Sequence, residues 1–130
     1  MPHDFLMRKQ YQWIFFLLFL CMAFAEAAAQ WIYTNPPSAS RYRNPETSIL
    51  LKSMDQLSPM ARVNMNLIQV TGSKSGIHPF TLHLSVDERS MIITPVRKFD
   101  YDEEILISVK EGVTGAGGIP LPSLSFAFYT

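Results

Sequence analysis

The stretch that decides the fold is Phe80-Thr81-Leu82-His83-Leu84-Ser85-Val86-Asp87-Glu88-Arg89-Ser90-Met91-Ile92-Ile93-Thr94. Apolar and polar residues alternate over residues 80–87, which is typical of a strand with one buried face, because successive side chains point to opposite faces. The polar break at residues 87–90 is too short for a helix, and the β-branched run at 91–94 follows at once. The pattern therefore predicts a β-hairpin.

The two-residue period recurs on both sides of this hairpin, in residues 47–52, 66–71, 105–110 and 124–129. No window of eleven or more residues after position 29 shows a helical period. Short strands separated by turn signals are typical of an all-β sandwich, and about seven such strands over ~100 residues form two sheets packed face to face. We therefore predict an all-β fold for residues 30–130.

The connections between these strands carry weaker signals. Trp31-Ile32-Tyr33 leads into Pro36-Pro37, which predicts an extended lead-in and a turn. Ser58-Pro59 is suited to start a single helical turn, because serine caps helices and proline is tolerated in the first turn. Phe99 and Tyr101, in the charged connection 96–104, are both expected to turn inward.

Residues 1–29 have the three parts of an export signal. Arg8 and Lys9 supply the positive start, residues 13–24 form an uncharged apolar core, and small alanines follow. A helix of twelve residues spans about 18 Å, which is short of the ~30 Å hydrocarbon core, so a stable anchor is not expected. We predict cleavage after Ala29, which makes Gln30 the new N-terminus; cleavage after Ala27, an uncleaved anchor and a buried core helix are the alternatives.

Composition narrows the class of partner. The chain of 130 residues carries eleven basic and eleven acidic side chains. Two of each lie in residues 1–29 (Arg8, Lys9, Asp4 and Glu26), which leaves nine against nine. The sequence has no stripe of basic residues that would indicate nucleic-acid binding. Cys21 is the single cysteine and lies in the leader, so a disulfide in the remaining domain is excluded. Leu20, which precedes Cys21, argues against a lipoprotein anchor.

Metal sites are not predicted. His78 and His83 are five residues apart, which places them on opposite faces of an extended chain, and both are interpreted as surface histidines. Asp100, Asp102, Glu103 and Glu104 resemble a calcium loop in charge, but the glycine that such a loop needs is missing. A solvated acidic loop is the preferred interpretation, with calcium binding by residues 100–104 left open.

Catalytic and cofactor sites are not predicted either. Gly72-Ser73-Lys74-Ser75-Gly76 resembles a phosphate loop in composition, but Pro79 and a strand follow where a helix is required. Ser73, Ser75 and His83 could form a hydrolase set only with a nucleophile elbow and an acidic residue to orient the histidine, and neither is evident. The expectation is a non-enzyme without cofactors.

Three aromatic residues near position 30 are the candidate ligand contacts. Trp31, Tyr33 and Tyr42 could stack on sugar rings if they are exposed. Aromatic residues on a lead-in segment more often pack over the edge of a sandwich. Glycan binding through these residues is therefore the secondary hypothesis.

The order of several segments carries a family resemblance. The segments are Asn35-Pro36-Pro37, residues 47–51, 68–76, 92–95, 99–109, 112–113, 117–122 and 126–130. In this order they resemble the bacterial Ig-like domains of the SbsA type (Big_5-like), found in secreted and surface proteins, particularly multidomain proteins of the Bacteroidetes. The resemblance covers nearly all of residues 31–130 and departs at 53–63, where the family has a short strand and an apolar-acidic turn.

The resemblance implies a seven-stranded Ig-like β-sandwich, preceded here by a signal-peptide helix, with residues 1–29 as signal peptide and 30–130 as the domain. It implies a non-catalytic structural or interaction module, a spacer or adhesion domain, in an exported protein that is secreted or held at the cell surface or in the periplasm. The alternatives are an accessory domain of a larger secreted enzyme and a carbohydrate-binding module. Expected partners are neighbouring domains, other envelope proteins or glycans, with membrane contact only through the signal peptide and no nucleic acid.

Overall fold

The computed structural model describes residues 8–12, 14 and 29–130, apart from the side chains of 62–64. Residues 8–12 and 14 are helical, and the rest of the predicted leader up to residue 28 lies outside the described residues. No described helix is long and apolar enough to cross a membrane. The eight strands, in chain order, are β1 (Trp31–Asn35), β2 (Ile49–Ser53), β3 (Ile68–Gly72), β4 (Gly76–Ile77), β5 (Phe80–Leu84), β6 (Ser90–Pro95), β7 (Glu104–Val109) and β8 (Leu124–Tyr129).

The strands form two antiparallel sheets of four. The first sheet has the order β1-β2-β6-β5, and the second has the order β4-β3-β7-β8. The predicted hairpin is confirmed, because β5 pairs with β6 from Phe80 opposite Pro95 to Leu84 opposite Met91. The structure is a β-sandwich, as predicted, in which the chain passes between sheets at the β2–β3, β4–β5 and β6–β7 connections.

The number of strands differs from the seven predicted. The additional short strand is β4, which has only two residues and pairs with the end of β3. Two residues cannot show a period of two, so the sequence pattern does not distinguish β4 from a loop. Trp31–Asn35 also forms a full edge strand beside β2, rather than only an extended lead-in.

The core lies between the two sheets and consists of inward residues of the strands together with buried residues of the connections, such as Leu57, Phe99 and Leu121. Ile107 is fully buried, Phe126 is nearly so and Leu82 packs against the buried cluster, as the alternation predicts. The fully buried large apolar side chains of the core are Ile49, Leu51, Leu57, Met91, Ile93, Phe99, Ile105, Ile107, Leu121 and Phe128. Phe99 turns inward as expected, whereas the inward prediction for Tyr101 is wrong, since this side chain is 71% exposed.

Residues 59–67 form a 3₁₀ helix where a single turn was expected. Ser58 caps it by accepting a hydrogen bond from the amide of Met60 at 3.2 Å, and Pro59 is its first residue. The helix lies on the connection between the two sheets, with Ala61 fully buried. A second, shorter 3₁₀ helix spans Ala116–Gly118.

Residues 39–43, which follow β1 and the two prolines, cover one edge of the second sheet. The amide of Ala39 donates to the carbonyl of Ala127 at 2.7 Å, the amide of Tyr129 donates to Ser40 at 2.8 Å, and the amide of Arg43 donates to Tyr129 at 3.0 Å. The segment therefore runs parallel to β8 and satisfies hydrogen-bonding groups that would otherwise face solvent at the sheet edge.

The two ends of the domain lie at opposite ends of the sandwich. The carbonyl of Gln30 accepts from the amide of Met54, just after β2, and the indole of Trp31 donates to the carbonyl of Pro122, just before β8. Thr130 follows β8 directly, so the length of that strand separates the two ends. Six residues of a strand span about 20 Å.

Candidate functional site

Polar side chains meet inside the structure at the turn between β3 and β4. We call this set the polar clasp; it consists of Ser75, His78 and Glu103. His78 is 1% exposed and Glu103 is 2% exposed. A fully buried carboxylate is costly unless hydrogen-bond donors surround it, so the surroundings of Glu103 determine whether this arrangement is stable.

The carboxylate of Glu103 accepts hydrogen bonds from four donor groups, of which the Ser75 hydroxyl is shared between the two oxygens. Oε1 accepts from the amides of Lys74 and Ser75, each at 3.1 Å, and from Oγ of Ser75 at 2.9 Å. Oε2 accepts from Oγ of Ser75 at 2.8 Å and from the amide of Asp100 at 2.5 Å. Burial raises the pKa of Glu103, but these hydrogen bonds outweigh it and hold the pKa below its usual value. Glu103 is therefore ionised in the folded protein at neutral pH.

The close approach of Glu103 to the turn depends on Gly72. A Cβ at position 72 would overlap with Oε1 of Glu103 and with Oγ of Ser75. The turn at 73–75 can therefore wrap around the carboxylate only because residue 72 has no side chain. The result is a ring of amide N–H groups around an anion, which is how glycine-rich turns bind phosphate.

His78 completes the clasp as a neutral side chain. Its Nε2 lies 2.6 Å from Oγ of Ser75. Because the Ser75 hydroxyl donates to Glu103, Nε2 must carry the proton and donate to Ser75. Nδ1 of His78 is then an unprotonated atom, and it is buried without a hydrogen-bond partner. Burial lowers the pKa of His78, and the nearby Arg97 guanidinium lowers it further.

The arrangement does not support acyl-transfer chemistry. In a serine hydrolase the histidine stands between the serine and the acid, so that it can take the serine proton. Here Ser75 stands between His78 and Glu103, and its proton is directed at the carboxylate. His78 is a donor to Ser75, so it cannot act as the base. The set Ser73, Ser75 and His83 is not brought together either, because Ser73 donates no hydrogen bond to Ser75 or His83 and accepts one from the amide of Glu104 at 3.0 Å.

The prediction of surface histidines is wrong for His78, while His83 is exposed on β5 as expected. The solvated interpretation of the acidic loop is wrong for Glu103, whereas Asp100, Asp102 and Glu104 are exposed. Among the described residues, no group of three or more His, Cys, Asp or Glu side chains is arranged to hold a metal ion. Sequence analysis missed the clasp because Glu103 lies 28 residues from Ser75. Gly72, placed beside Ser-Lys-Ser, was the signal that an anion lies nearby.

The predicted ligand contacts lie in three different environments. Trp31 is half-buried against the core, and its Nε1 donates to the carbonyl of Pro122 at 3.0 Å. Tyr33 is 52% exposed on β1. Tyr42 is 90% exposed in the segment beside β8 of the other sheet. The structure therefore does not assemble the three aromatic rings on one strand or one sheet.

A shallow groove lies on the outer face of the first sheet beside Tyr33. Its volume is about 420 Å³, and it is lined by Ile32, Tyr33, Leu50, Lys52 and Ser90. The groove combines an apolar floor with an ammonium group and hydroxyl groups. This composition is typical of small-ligand sites, which are mostly apolar with a few polar groups.

Ala29 and Gln30 form part of the folded domain. Ala29 is buried within the core cluster, and the carbonyl of Gln30 accepts from the amide of Met54 at 2.9 Å. The predicted cleavage between them stays a prediction, and the alternative residue Ala27 lies outside the described residues.

Known structures share this sandwich. The S-layer protein SbsC, domains 1-6, superimposes with a TM-score of 0.62 at 8% identity, over 82% of this chain and 14% of that chain. Native alpha-2-macroglobulin from Escherichia coli gives 0.59 at 13% identity, over 82% and 33%. PcoC, a methionine rich copper resistance protein from Escherichia coli, gives 0.54 at 17% identity, over 78% and 97%.

These similarities define the chain as a β-sandwich domain of a kind found in S-layer proteins and in copper resistance proteins. At such low identities they establish the fold alone. The match spans only 14% of the length of the S-layer chain. No family model matches the sequence, and no curated protein sequence matches it.

Proposed function

We propose that this chain is a non-catalytic structural or interaction module, of the SbsA Ig-like type, in an exported bacterial protein. The observation that carries the proposal is the use of the buried polar groups. Glu103 is buried and accepts the hydrogen bond of the half-buried Ser75 hydroxyl, so these two side chains hold two turns together.

The position of the domain ends supports a spacer or adhesion role. Because Gln30 and Thr130 lie at opposite ends of the sandwich, segments attached at the two ends would be held apart by the length of the domain. The likeness to S-layer domains, which belong to much longer chains, agrees with this role. We extend the proposal to a secreted, cell-surface or periplasmic location and to the Bacteroidetes, on the basis of the leader and the family resemblance.

Export can be tested with a reporter enzyme that is active only outside the cytoplasm. Residues 1–130 fused ahead of the reporter are expected to give activity in a bacterial host, whereas residues 30–130 fused in the same way are not. Intact mass of the exported fusion reports the cleavage site. Activity from the fusion that lacks residues 1–29, or its absence from both fusions, would contradict the proposal.

The groove beside Tyr33 favours glycan binding as a second candidate function. Tyr33 is 52% exposed, and Lys52 lines the same groove with a hydrogen-bond donor. Since Trp31 is held by Pro122 and Tyr42 lies beside the other sheet, Tyr33 is the aromatic residue on which this function depends.

A glycan array with the exported domain tests this second candidate. Binding is expected to weaken about tenfold in Tyr33→Ala, which corresponds to about 1.4 kcal/mol. Tyr42→Ala is the matched control, because Tyr42 is exposed but outside the groove, and it is expected to bind as the unchanged domain does. No binding on the array, or equal loss in the two variants, removes this candidate.

A further inference from the structure

The polar clasp joins three parts of the chain that are distant in sequence. Glu103 holds the turn between β3 and β4 through Lys74 and Ser75. The amide of Glu103 donates to Oγ1 of Thr130 at 3.2 Å, and that hydroxyl donates to the carbonyl of Asp100 at 2.6 Å. The clasp therefore connects the β3–β4 turn, the β6–β7 turn and the residue that follows β8.

Besides the clasp, the turn is attached mainly through its two ends. The amide of Ser73 donates to the carbonyl of Glu104 at 2.8 Å, the amide of Glu104 donates to Oγ of Ser73 at 3.0 Å, and the amide of His78 donates to the carbonyl of Val70 at 2.8 Å. β4 pairs with β3 at only two positions, Thr71 opposite Ile77 and Gly72 opposite Gly76. By comparison, β7 and β8 pair at six positions. Arg97 adds two hydrogen bonds, from Nη2 to the carbonyls of Ser75 and Ile77, each at 2.9 Å. The amides of Lys74 and Ser75 are held by Glu103 instead, so opening of the clasp frees the middle of the turn while the rest of the second sheet stays paired.

The clasp can accept a proton only at a cost. Nε2 of His78 already donates to Ser75, so the next proton must go to Nδ1, which is buried and has no acceptor beside it. The ring of Phe99 lies against the imidazole, with ring centroids 4.6 Å apart. A new N–H group at Nδ1 would therefore be buried without a partner, which costs about 1–3 kcal/mol.

The charged groups around His78 divide into two sets. The Arg97 guanidinium opposes a positive charge on the imidazole, while the carboxylates of Glu103 and Asp100 favour it. Lys74 lies in the same turn, but its Nζ is directed at the carbonyl of Tyr101 at 3.4 Å. Burial of the imidazole is the largest influence, and the balance favours the neutral ring.

We propose that the polar clasp is an acid-sensitive latch, in which proton uptake by His78 releases the β3–β4 turn before the sandwich unfolds. The buried site disfavours a charged imidazole, so the protonated ring leaves the site to reach water. Ser75 then loses the hydrogen bond from His78. The turn is held less firmly, so its amides at Lys74 and Ser75 separate from Glu103 more often. This inference does not rest on the proposed function.

The direction of the pH dependence follows from linkage. A histidine whose pKa is lower in the folded protein than in the unfolded chain stabilises the fold above about pH 6.5, and this contribution is lost as the pH falls through the folded-state pKa. Glu103 also has a lowered pKa, so its contribution is lost only below its ordinary value near pH 4.5. A titration between about pH 7.5 and pH 5 therefore reports mainly on His78.

Nuclear magnetic resonance of the full chain tests this latch. Between about pH 7.5 and pH 5, we expect the imidazole nitrogen shifts of His78 to titrate with a midpoint below 6.5. We also expect the hydrogen-exchange protection of the Lys74 and Ser75 amides, corrected for intrinsic rates, to fall by up to about tenfold for each pH unit between about pH 6.5 and that midpoint, and to level off below it. Protection of Leu106 on β7 should stay constant.

Two histidine variants separate the latch from general acid effects. His78→Gln keeps an N–H donor for Ser75 and cannot become charged, so the loss of protection at 74–75 should disappear. His83→Gln, on the exposed face of β5, should leave it unchanged. Equal behaviour of the two variants, or titration of His78 in the unchanged chain without any response at 74–75, would overturn the proposal, and the second result requires no variant to fold.

Discussion

A Phe99→Ala variant is expected to lose about 3–5 kcal/mol of unfolding free energy, the range for removal of a large buried aromatic side chain. Phe99 is 1% exposed and contacts two other rings, with centroid distances of 4.6 Å to His78 and 6.0 Å to Phe128. The substitution leaves a cavity between the second sheet and the polar clasp. A loss of this size is a large part of the 5–15 kcal/mol that domains typically have.

Tyr101→Ala is the matched control for Phe99→Ala. Tyr101 lies two residues away in the same connection, and its side chain is exposed, so the change should stay within about 0.5 kcal/mol. Urea denaturation followed by the fluorescence of Trp31, which is half-buried against the core, measures both variants. A loss below 1 kcal/mol in Phe99→Ala would show that this ring is not part of a packed core.

Glu103→Gln is expected to lose about 3 kcal/mol, although it changes only one atom of the side chain. The carboxylate accepts from three amides and one hydroxyl, and a carboxamide offers one oxygen and one NH₂ group in the same place. The NH₂ group would face N–H donors, so buried amides of Lys74, Ser75 or Asp100 would be left unpaired. Unpaired buried donors cost about 1–3 kcal/mol each.

Glu104→Gln provides the control for this substitution. Glu104 is exposed and accepts a hydrogen bond from the Tyr129 hydroxyl at 3.0 Å, which a carboxamide oxygen can still accept. Its effect should stay below about 0.5 kcal/mol. Equal losses in the two glutamine variants would mean that Glu103 is not the acceptor at the centre of the clasp. A loss confined to Glu103→Gln that shrinks progressively as the pH falls below about 4.5 would fit its ionisation in the fold.

Much of the fold was predictable from local patterns. The hairpin at 80–94 and the buried faces of β2, β3, β7 and β8 follow from alternation, since one face of each strand must leave water. The predictions for Phe99 and Tyr101 show the limit of this reasoning. Both are aromatic and two residues apart in a connection, and no period in the sequence distinguishes the one that packs from the one that stays exposed.

The Gly72–Gly76 loop shows a different limit. Its composition resembles that of a phosphate-binding loop, and the structure does place its amides around an anion. That anion is the carboxylate of Glu103, which belongs to the same chain and lies 28 residues after Ser75, beyond β4, β5 and β6. The chemistry of the turn was therefore evident from the residues, but the identity of its ligand was not.

For this protein, the sequence by itself determined the all-β class, the buried faces of the strands and the positions of the main turns, because these depend on neighbours within a few positions. The sheet order, the burial of His78 and Glu103, the two-residue strand β4 and the separation of Trp31, Tyr33 and Tyr42 were decided only by the tertiary structure. The reason is physical. A buried charge is stable only where donors from distant segments converge, and such convergence is a property of the packed sheets rather than of any local pattern.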